Sequence, residues 1–486
     1  MDNKTVNANL DDASTSTDPP ATAVLIAKPA ANRLTTGAYS ILIIAINARY
    51  SHCSYAARTL KINLLELEQQ CSIMETELII TPFQLASQIV ECNPRIVVFS
   101  VYLWNIRLIE ATARILNAVA PQIKRIAGGP ELTPDYSNAA LFHQCVIGEG
   151  ESGLRQSCRS WLDNPQAILP RVVVREPEDT AELRLPFNLY SDEDIAHRVI
   201  YVEASRGCPY ACSYCTSSRT GLRLIPLERL LPGLQSLWER GVRQFKFLDR
   251  SFTAALAHSN AVMNFFLERQ DPQMCLHFEI NTERLHNETA ELMSRFSANT
   301  LHLECGVQTL NPEVAVRIGR SGKIDQTLEN LKLLTSLNSA VVHADLIFGL
   351  PGESEGSFAA GFNRLIATCA PPEVQINLLK GLPRTELVQH AARYALKFNP
   401  DPPYELLESN SMDFKTLVKL QRLARCWELV HNRGRYIAEV AALKQRGPNL
   451  YQTWTQLADF ICAQEGRMYK ISAPRLKNCL HEFLAK

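Results

Sequence analysis

Two series of short apolar runs, each alternating with amphipathic helical stretches, restrict the fold of this chain more than any single residue does. Ile41–Ile46 is continuously apolar, the mark of a strand covered on both faces. Ser51–Gln69 then carries Ala56, Leu60, Leu64 and Leu67 at helical spacing. Further strands are predicted at Glu77–Ile80, Arg95–Val101, Lys124–Ala127 and Gln144–Ile147, with helices at Pro82–Glu91 and Ile106–Ala118. Such alternation predicts an α/β unit with a parallel, doubly wound sheet, Rossmann-like in architecture. Ligands of such sheets bind just beyond the strand ends. There the chain places Gly128–Gly129–Pro130 after the fourth strand and Gly148–Glu149–Gly150–Glu151 after the fifth.

A second series starts at Val199, with strands predicted at Ile200–Ala204, Gln244–Leu248, Leu276–Ile280, Thr300–Gly306, Val341–Phe348 and Glu373–Leu378. Helical patterns separate them, so six βα units predict a partial (β/α)6 TIM barrel with its site at the C-terminal strand ends. Pro165, Pro170, Pro177 and Pro186 mark a linker between the two series. The expected organisation is a disordered leader over 1–38, a first domain over 39–162, a linker over 163–197, the barrel over 198–385 and a mostly helical domain over 386–486. Phe414–Val430 is its clearest amphipathic stretch.

Composition narrows the class. Apolar residues make up 46% and charged residues 21% of 486, ordinary for a globular protein. Formal net charge is zero, which counts against a dedicated nucleic-acid binder. Residues 412–486 carry 13 Lys and Arg against 6 Asp and Glu, read first as a solvated helical face. No apolar run reaches the ~20 residues of a membrane span, and Met1–Asp2–Asn3–Lys4 lacks a signal-peptide pattern, so a cytoplasmic protein is expected. Fourteen cysteines in such a chain read as reduced, with a few ligating metal.

Those few are Cys208, Cys212 and Cys215 in Cys208–Pro–Tyr–Ala–Cys212–Ser–Tyr–Cys215, just after a predicted strand. Three thiolates can hold three corners of a [4Fe–4S] cube and leave one iron open to a ligand. A zinc site would call for a fourth Cys or His, and the adjacent loop offers none. The Cx3Cx2C spacing with Tyr214 before the last cysteine resembles the signature of the radical S-adenosylmethionine (SAM) superfamily. The barrel resembles its coproporphyrinogen-oxidase and Elp3-like subgroup.

The resemblance implies that the open iron chelates SAM, which one electron cleaves to a 5′-deoxyadenosyl radical. It assigns Tyr214, Glu279, Gln308, Arg320, Asp345 and Gly349 to the SAM pocket, with Arg317 competing for the role of Arg320. A carboxylate accepts ribose hydroxyls, Gln both donates and accepts, and Arg grips a carboxylate bidentately. Asp249–Arg250–Ser251 stands where many members have Gly–Gly–Glu, which leaves the contact to the methionine amino group open.

The sheet before the barrel resembles the cobalamin-binding domain of B12-dependent radical SAM enzymes. The resemblance places cobalamin against Gly128, Gly129, Pro130, Gly148, Glu149, Gly150 and Glu151, with Ala48, Arg49, His52, Tyr102 and Trp104 nearby. The chain has no Asp–x–His–x–x–Gly, so a cobalamin without a protein histidine ligand is expected, His52 being in a different context. Leu378–Leu–Lys–Gly–Leu–Pro–Arg–Thr385 resembles a stretch preceding a C-terminal domain of unknown function, with Arg384 where glycine is usual.

The expected cofactors are a [4Fe–4S] cluster, SAM and cobalamin. The expected reaction is methyl transfer to an unactivated carbon of a small-molecule or peptide substrate, with flavodoxin or ferredoxin as reductant. Three alternatives stay open at this point: a non-methylating rearrangement or cyclisation, a non-catalytic cobalamin or redox sensor, and RNA modification through the basic C-terminal region.

Overall fold

The computed structural model describes residues 39–486; the expected leader over 1–38 lies outside them. The first domain runs β1 (Ile41–Asn47), α1 (Tyr55–Ile62), β2 (Cys71–Glu77), α2 (Pro82–Cys92), β3 (Ile96–Ser100), α3 (Ile106–Val119), β4 (Lys124–Gly128), β5 (Gln144–Ile147), α4 (Glu151–Asp163) and β6 (Val172–Val174). The strands form one parallel sheet in the order β2-β1-β3-β4-β5-β6. β1 explains why both faces are covered. Leu42, Ile44 and Ile46 enter one core with α2 and α3, while Ile41, Ile43 and Ala45 enter a second with α1 and α4.

Two predicted elements move. The second strand is Cys71–Glu77, not Glu77–Ile80, because Cys71–Glu77 pairs residue for residue with β1. Leu78–Ile80 instead forms the turn before the Thr81 capping box of α2, and Ile79 is exposed. The long helix predicted over 51–69 is α1 followed by a 3-10 turn at Leu65–Gln70. The segment expected as a linker also contributes β6, then α5 (Asp192–His197).

The barrel opens with β7 (Ile200–Val202), followed by a small hairpin, β8 (Ser205–Arg206) and β9 (Arg223–Leu224), which frames the cysteine loop. Then come α6 (Leu227–Glu239), β10 (Gln244–Phe247), α7 (Leu256–Leu267), β11 (Cys275–Ile280), α8 (Asn287–Ser294), β12 (Leu301–Gln308), α9 (Pro312–Arg317), α10 (Ile324–Ser336), β13 (Ala340–Phe348), α11 (Glu355–Thr368) and β14 (Glu373–Leu378). The sheet is parallel and sequential, β7-β10-β11-β12-β13-β14, as the six βα units predict. Alternation on β12 buries Leu301, Leu303, Cys305 and Val307 beneath the helices and turns His302, Glu304, Gly306 and Gln308 to the other face, which lines the lumen.

After α12 (Glu386–Gln389) and a hairpin of β15 (Lys397–Phe398) and β16 (Leu406–Glu408), the chain ends in α13 (Phe414–Trp427), α14 (Ile437–Gln445), α15 (Leu450–Glu465) and α16 (Ala473–Leu484). This helical region shares the barrel's core: Leu406, Leu417, Trp427 and Trp454 belong to the same buried cluster as Phe348 and Phe362. Among the described residues, no helix is long and apolar enough to cross a membrane.

Candidate functional site

The cysteine loop follows β8 and is held from three directions. Cys208 N–H donates to Thr220 Oγ1 at 3.1 Å, Ser213 N–H donates to the Ile318 carbonyl at 3.0 Å, and Leu387 N–H donates to the Ser213 carbonyl at 2.8 Å. Gly207, at φ +83°, is packed so closely that a Cβ would meet the Gly221 carbonyl oxygen at 1.8 Å. The three thiols lie close enough for Cys212 and Cys215 each to raise the Cys208 pKa, after the larger effect of burial. Among the described residues, no three His, Cys, Asp or Glu side chains are arranged to hold a single metal ion. In a [4Fe–4S] cube each thiolate binds a different iron, so the three cysteines of this loop need not converge on one ion. All fourteen cysteines are free thiols.

Arg320 lies behind this loop, 7% exposed. It pairs with Glu283 at 2.8 Å and donates to the Gly306 carbonyl at 2.8 Å. Burial opposes its charge, but Tyr214, Glu283 and Cys212 outweigh that and raise its pKa. Arg317, the competing candidate, donates to the Pro351 carbonyl at 2.8 Å and fills the space over Gly352. Arg320 is thus the arginine beside the cluster loop, and Arg317 braces the loop after β13. Gly349, at φ +86°, leaves no room on its Cβ side, where Leu406 and Leu417 pack; its glycine character serves the C-terminal region first.

Three carboxylates face the lumen from adjacent strands: Glu279 on β11, Glu304 on β12 and Asp345 on β13. Burial, then repulsion from Glu304 and Glu279, pushes the Asp345 carboxyl up to about 8. Burial also raises Glu279, whose nearest cation is Arg250 at 4.0 Å. Gln308 sits at φ +70° with its buried Oε1 lacking a hydrogen-bond partner. Crowded carboxylates and an orphaned amide oxygen fit a ligand bringing hydroxyl donors and positive charge, as SAM does. Below them, Lys246 meets Glu304 at 3.2 Å and His277 approaches it at 2.7 Å, while His302 and His343 complete a polar row.

In the first domain, Tyr102 and Trp104 stack at 4.5 Å just after β3, and the Trp104 ring is 40% exposed. Trp104 Nε1 donates to the Ile46 carbonyl at 3.1 Å, which anchors this platform beside the turn carrying Ala48 and Arg49. His52 turns away toward the barrel, its Nδ1 meeting the Tyr201 hydroxyl. Gly129, at φ +131°, would place a Cβ 2.2 Å from the Val101 carbonyl oxygen, so this glycine is required by packing inside the domain.

The charged residues of the two loops face the barrel. Glu131 accepts from Tyr404 and Arg384 Nη2 reaches the Pro130 carbonyl at 3.5 Å. Arg384 holds the positive φ, +66°, that a glycine would adopt without cost. Glu149 binds Arg206 and Arg223, and Glu151 binds Arg206 at 2.7 Å. Sequence reasoning missed Arg206, Arg223, Arg250 and Tyr404 as site residues. Arg206, two positions before Cys208, and Arg250, where family members carry the second glycine, were the available signals.

Comparison with known proteins identifies the domains that carry these loops. Residues 42–156 match the B12 binding domain, residues 202–364 the radical SAM superfamily, and residues 392–486 a protein family of unknown function, DUF4080. The chain therefore carries a B12-binding domain followed by a radical SAM domain, and the cofactors of these domains are cobalamin, a [4Fe–4S] cluster and SAM. It is 25% identical over 363 residues to 2-(S-pantetheinyl)-carbapenam-3-carboxylate methyltransferase of Streptantibioticus cattleyicolor, covering 64% of this chain and 51% of that one. It is 22% identical over 467 residues to the cobalamin-dependent radical SAM methyltransferase TokK of Streptomyces tokunonensis, covering 84% and 67%. The chain therefore spans about half to two thirds of these relatives. Its fold resembles that of the radical SAM methyltransferase TsrM from Kitasatospora setae, with TM-score 0.57 at 15% identity over 77% of this chain and 80% of that one. It also resembles the cobalamin-dependent SAM radical enzyme OxsB, with TM-score 0.58 at 13% identity over 92% and 79%.

Proposed function

We propose that this chain is a cobalamin-dependent radical SAM methyltransferase acting at an unactivated carbon. The observation that carries the reading is the direct bonding of the β5–α4 loop to the hairpin that frames the cysteines. That bonding ties the loop expected to hold cobalamin to the loop expected to hold the cluster. The names of the curated relatives point the same way.

In this reading Cys208, Cys212 and Cys215 hold the cluster, and Tyr214, Glu279, Gln308, Arg320, Asp345 and Gly349 form the SAM side. The Gly128–Glu131 and Gly148–Glu151 loops and the Tyr102–Trp104 platform form the cobalamin side, with Ala48 and Arg49 beside it, while His52, turned to Tyr201, takes no part. SAM on the cluster supplies a hydrogen-abstracting radical, and cobalamin supplies the methyl group. The chain's own residues bind and orient. Asp345, protonated near neutral pH, can donate to a ligand oxygen, while Glu279 accepts hydroxyls. Arg250, 57% exposed between Glu279 and the Cys208 loop, offers a guanidinium to a carboxylate of SAM or of the substrate. Leu406 and Leu417 close the loop after β13 and exclude water from that side.

The substrate is a small molecule or peptide, and the electron donor is a flavodoxin or ferredoxin. Full-length protein, reconstituted anaerobically with iron, sulfide and hydroxocobalamin, should hold about one cluster and one cobalamin per chain. With SAM, reductant and a competent substrate it should yield S-adenosylhomocysteine and 5′-deoxyadenosine together. Deoxyadenosine alone, with no methyl transferred, refutes the methyltransferase reading and leaves the radical SAM assignment standing.

A further inference from the structure

The hairpin that introduces the cysteine loop carries two arginines directly opposite each other, Arg206 on β8 and Arg223 on β9. Like charges facing across a strand pair repel. Here a single carboxylate from the other domain bridges them: Arg223 donates to both Glu149 oxygens, and Arg206 shares Oε2 with it, at 3.2 Å against 3.1 Å for Arg223. Arg206 also reaches Glu151 Oε1 at 2.7 Å and Glu203 Oε2 at 2.9 Å, so one guanidinium, 11% exposed, serves three carboxylates. Burial opposes the charge on Glu149, but Arg223, Arg206 and the Glu178 N–H outweigh it and hold the carboxyl below its usual range.

Both ends of this set are fixed to cofactor loops. Glu149 lies in the loop from β5 and Glu151 opens α4, and the Glu178 N–H holds Glu149 from behind at 2.9 Å. On the other side only Gly207 separates Arg206 from Cys208, and its close packing against Gly221 leaves no slack between them. Well-packed apolar residues would join two domains at lower desolvation cost than these charges do. What the charges add is direction: five side chains have one mutual arrangement, and a shift of the β5–α4 loop pulls on the backbone at Cys208.

We propose that Arg206 is a positioning residue that couples the two cofactor sites, transmitting occupancy of the cobalamin loop to the cysteine loop through Glu149 and Glu151. The proposal rests on the cofactor placement given above. Its test compares full-length wild type with Arg206→Gln, Arg206→Lys and Glu149→Gln, each carrying a reconstituted cluster. Two readouts are taken with and without hydroxocobalamin: the rate of iron release to a ferrous chelator, and the electron paramagnetic resonance spectrum of the reduced cluster. In wild type, cobalamin should slow iron release roughly fivefold or more and alter the spectrum. Arg206→Gln should abolish both responses, and Arg206→Lys should restore them in part. An Arg206→Gln protein that responds like wild type overturns the proposal. If that variant cannot retain a cluster, Glu149→Gln, distant from the cysteines in sequence, gives the same reading. Should wild type bind no cobalamin, the cofactor placement is what fails. The clamp is then judged by hydrogen exchange over residues 205–224, which Glu149→Gln accelerates if the coupling exists and leaves unchanged if it does not.

Discussion

Asp249 lies just past the end of β10 with 1% of its surface exposed, accepting from the Ala204 N–H at 2.9 Å and the Ser205 hydroxyl at 2.5 Å. It thereby pins the end of β7 to the neighbouring strand just before the cluster loop. Burial pushes its carboxyl up to about 7 from an ordinary 3.8, against the two hydrogen bonds and with help from Glu203. The native state then holds a proton that the unfolded chain releases, so stability falls as pH rises between those values. At ~1.4 kcal/mol per pH unit, this group costs the fold about 2 kcal/mol between pH 5 and pH 7, and about 4 kcal/mol in all between its unfolded and native pKa values, with little further change above pH 7. Asp249→Asn removes the titration and keeps the contacts: Oδ1 accepts from Ala204, and the amide donates to Ser205 Oγ, which can accept. In cluster-free protein, the wild-type melting temperature should drop about 2–4 °C more than that of the variant between pH 5 and pH 7. Parallel melting curves for the two proteins across this range refute the assignment. Asp249→Ala should destabilise at every pH, because it leaves two buried donors unpaired.

Glu283→Gln breaks a pair whose members are 8% and 7% exposed; it should lower stability by about 3–5 kcal/mol and speed cluster loss, since Arg320 also holds Tyr214 and flanks Cys212. Differential scanning and iron-release rates check both effects. Tyr404→Phe leaves the buried Glu131 carboxylate without its hydroxyl donor; it should cost about 1–3 kcal/mol and weaken cobalamin binding measured by absorbance titration. Burial opposes ionisation of Glu304, but contact with His277 and Lys246 outweighs it and brings the carboxyl down to about 2. Its stabilisation is therefore present above the ordinary glutamate range and lost as pH falls toward 2. Glu304→Gln should cost about 1–3 kcal/mol at pH 7 and almost nothing near pH 2, in urea unfolding followed against pH.

Most of the fold was legible because its strands announce themselves. Runs such as Ile41–Ile46 and Val341–Phe348 are buried on one or both faces, and the helices between them keep a clear apolar stripe. The second strand was misplaced because Cys71–Glu77 mixes apolar with polar and charged residues, whereas the following Leu78–Ile80 is wholly apolar yet forms a turn, with Ile79 exposed and Leu78 and Ile80 packed on the core. β6 was hidden among prolines and has only three residues. The cysteines were legible from spacing. The arginines that hold the loops were not, because an ion pair between Arg206 and Glu149 spans 57 positions and leaves no local pattern.

The two kinds of residue in the loop motifs answer to different demands. Gly129 takes a conformation closed to most side chains and backs onto the Val101 carbonyl within its own domain; Gly349 backs onto Leu406 and Leu417. Packing alone would keep glycine at both places, whether or not a ligand lies on the far side. The charged members of the same motifs, Glu131, Glu149 and Glu151, have no such internal duty. They are buried or half-buried against Tyr404, Arg206 and Arg223 from outside the domain, and none would hold its place in a first domain folding alone. Carboxylates of this kind, desolvated by a neighbour rather than by their own core, are stable only when that neighbour is docked. The acidic positions of these loops therefore encode how the cobalamin domain sits on the barrel, and the glycines encode that each loop can be built at all.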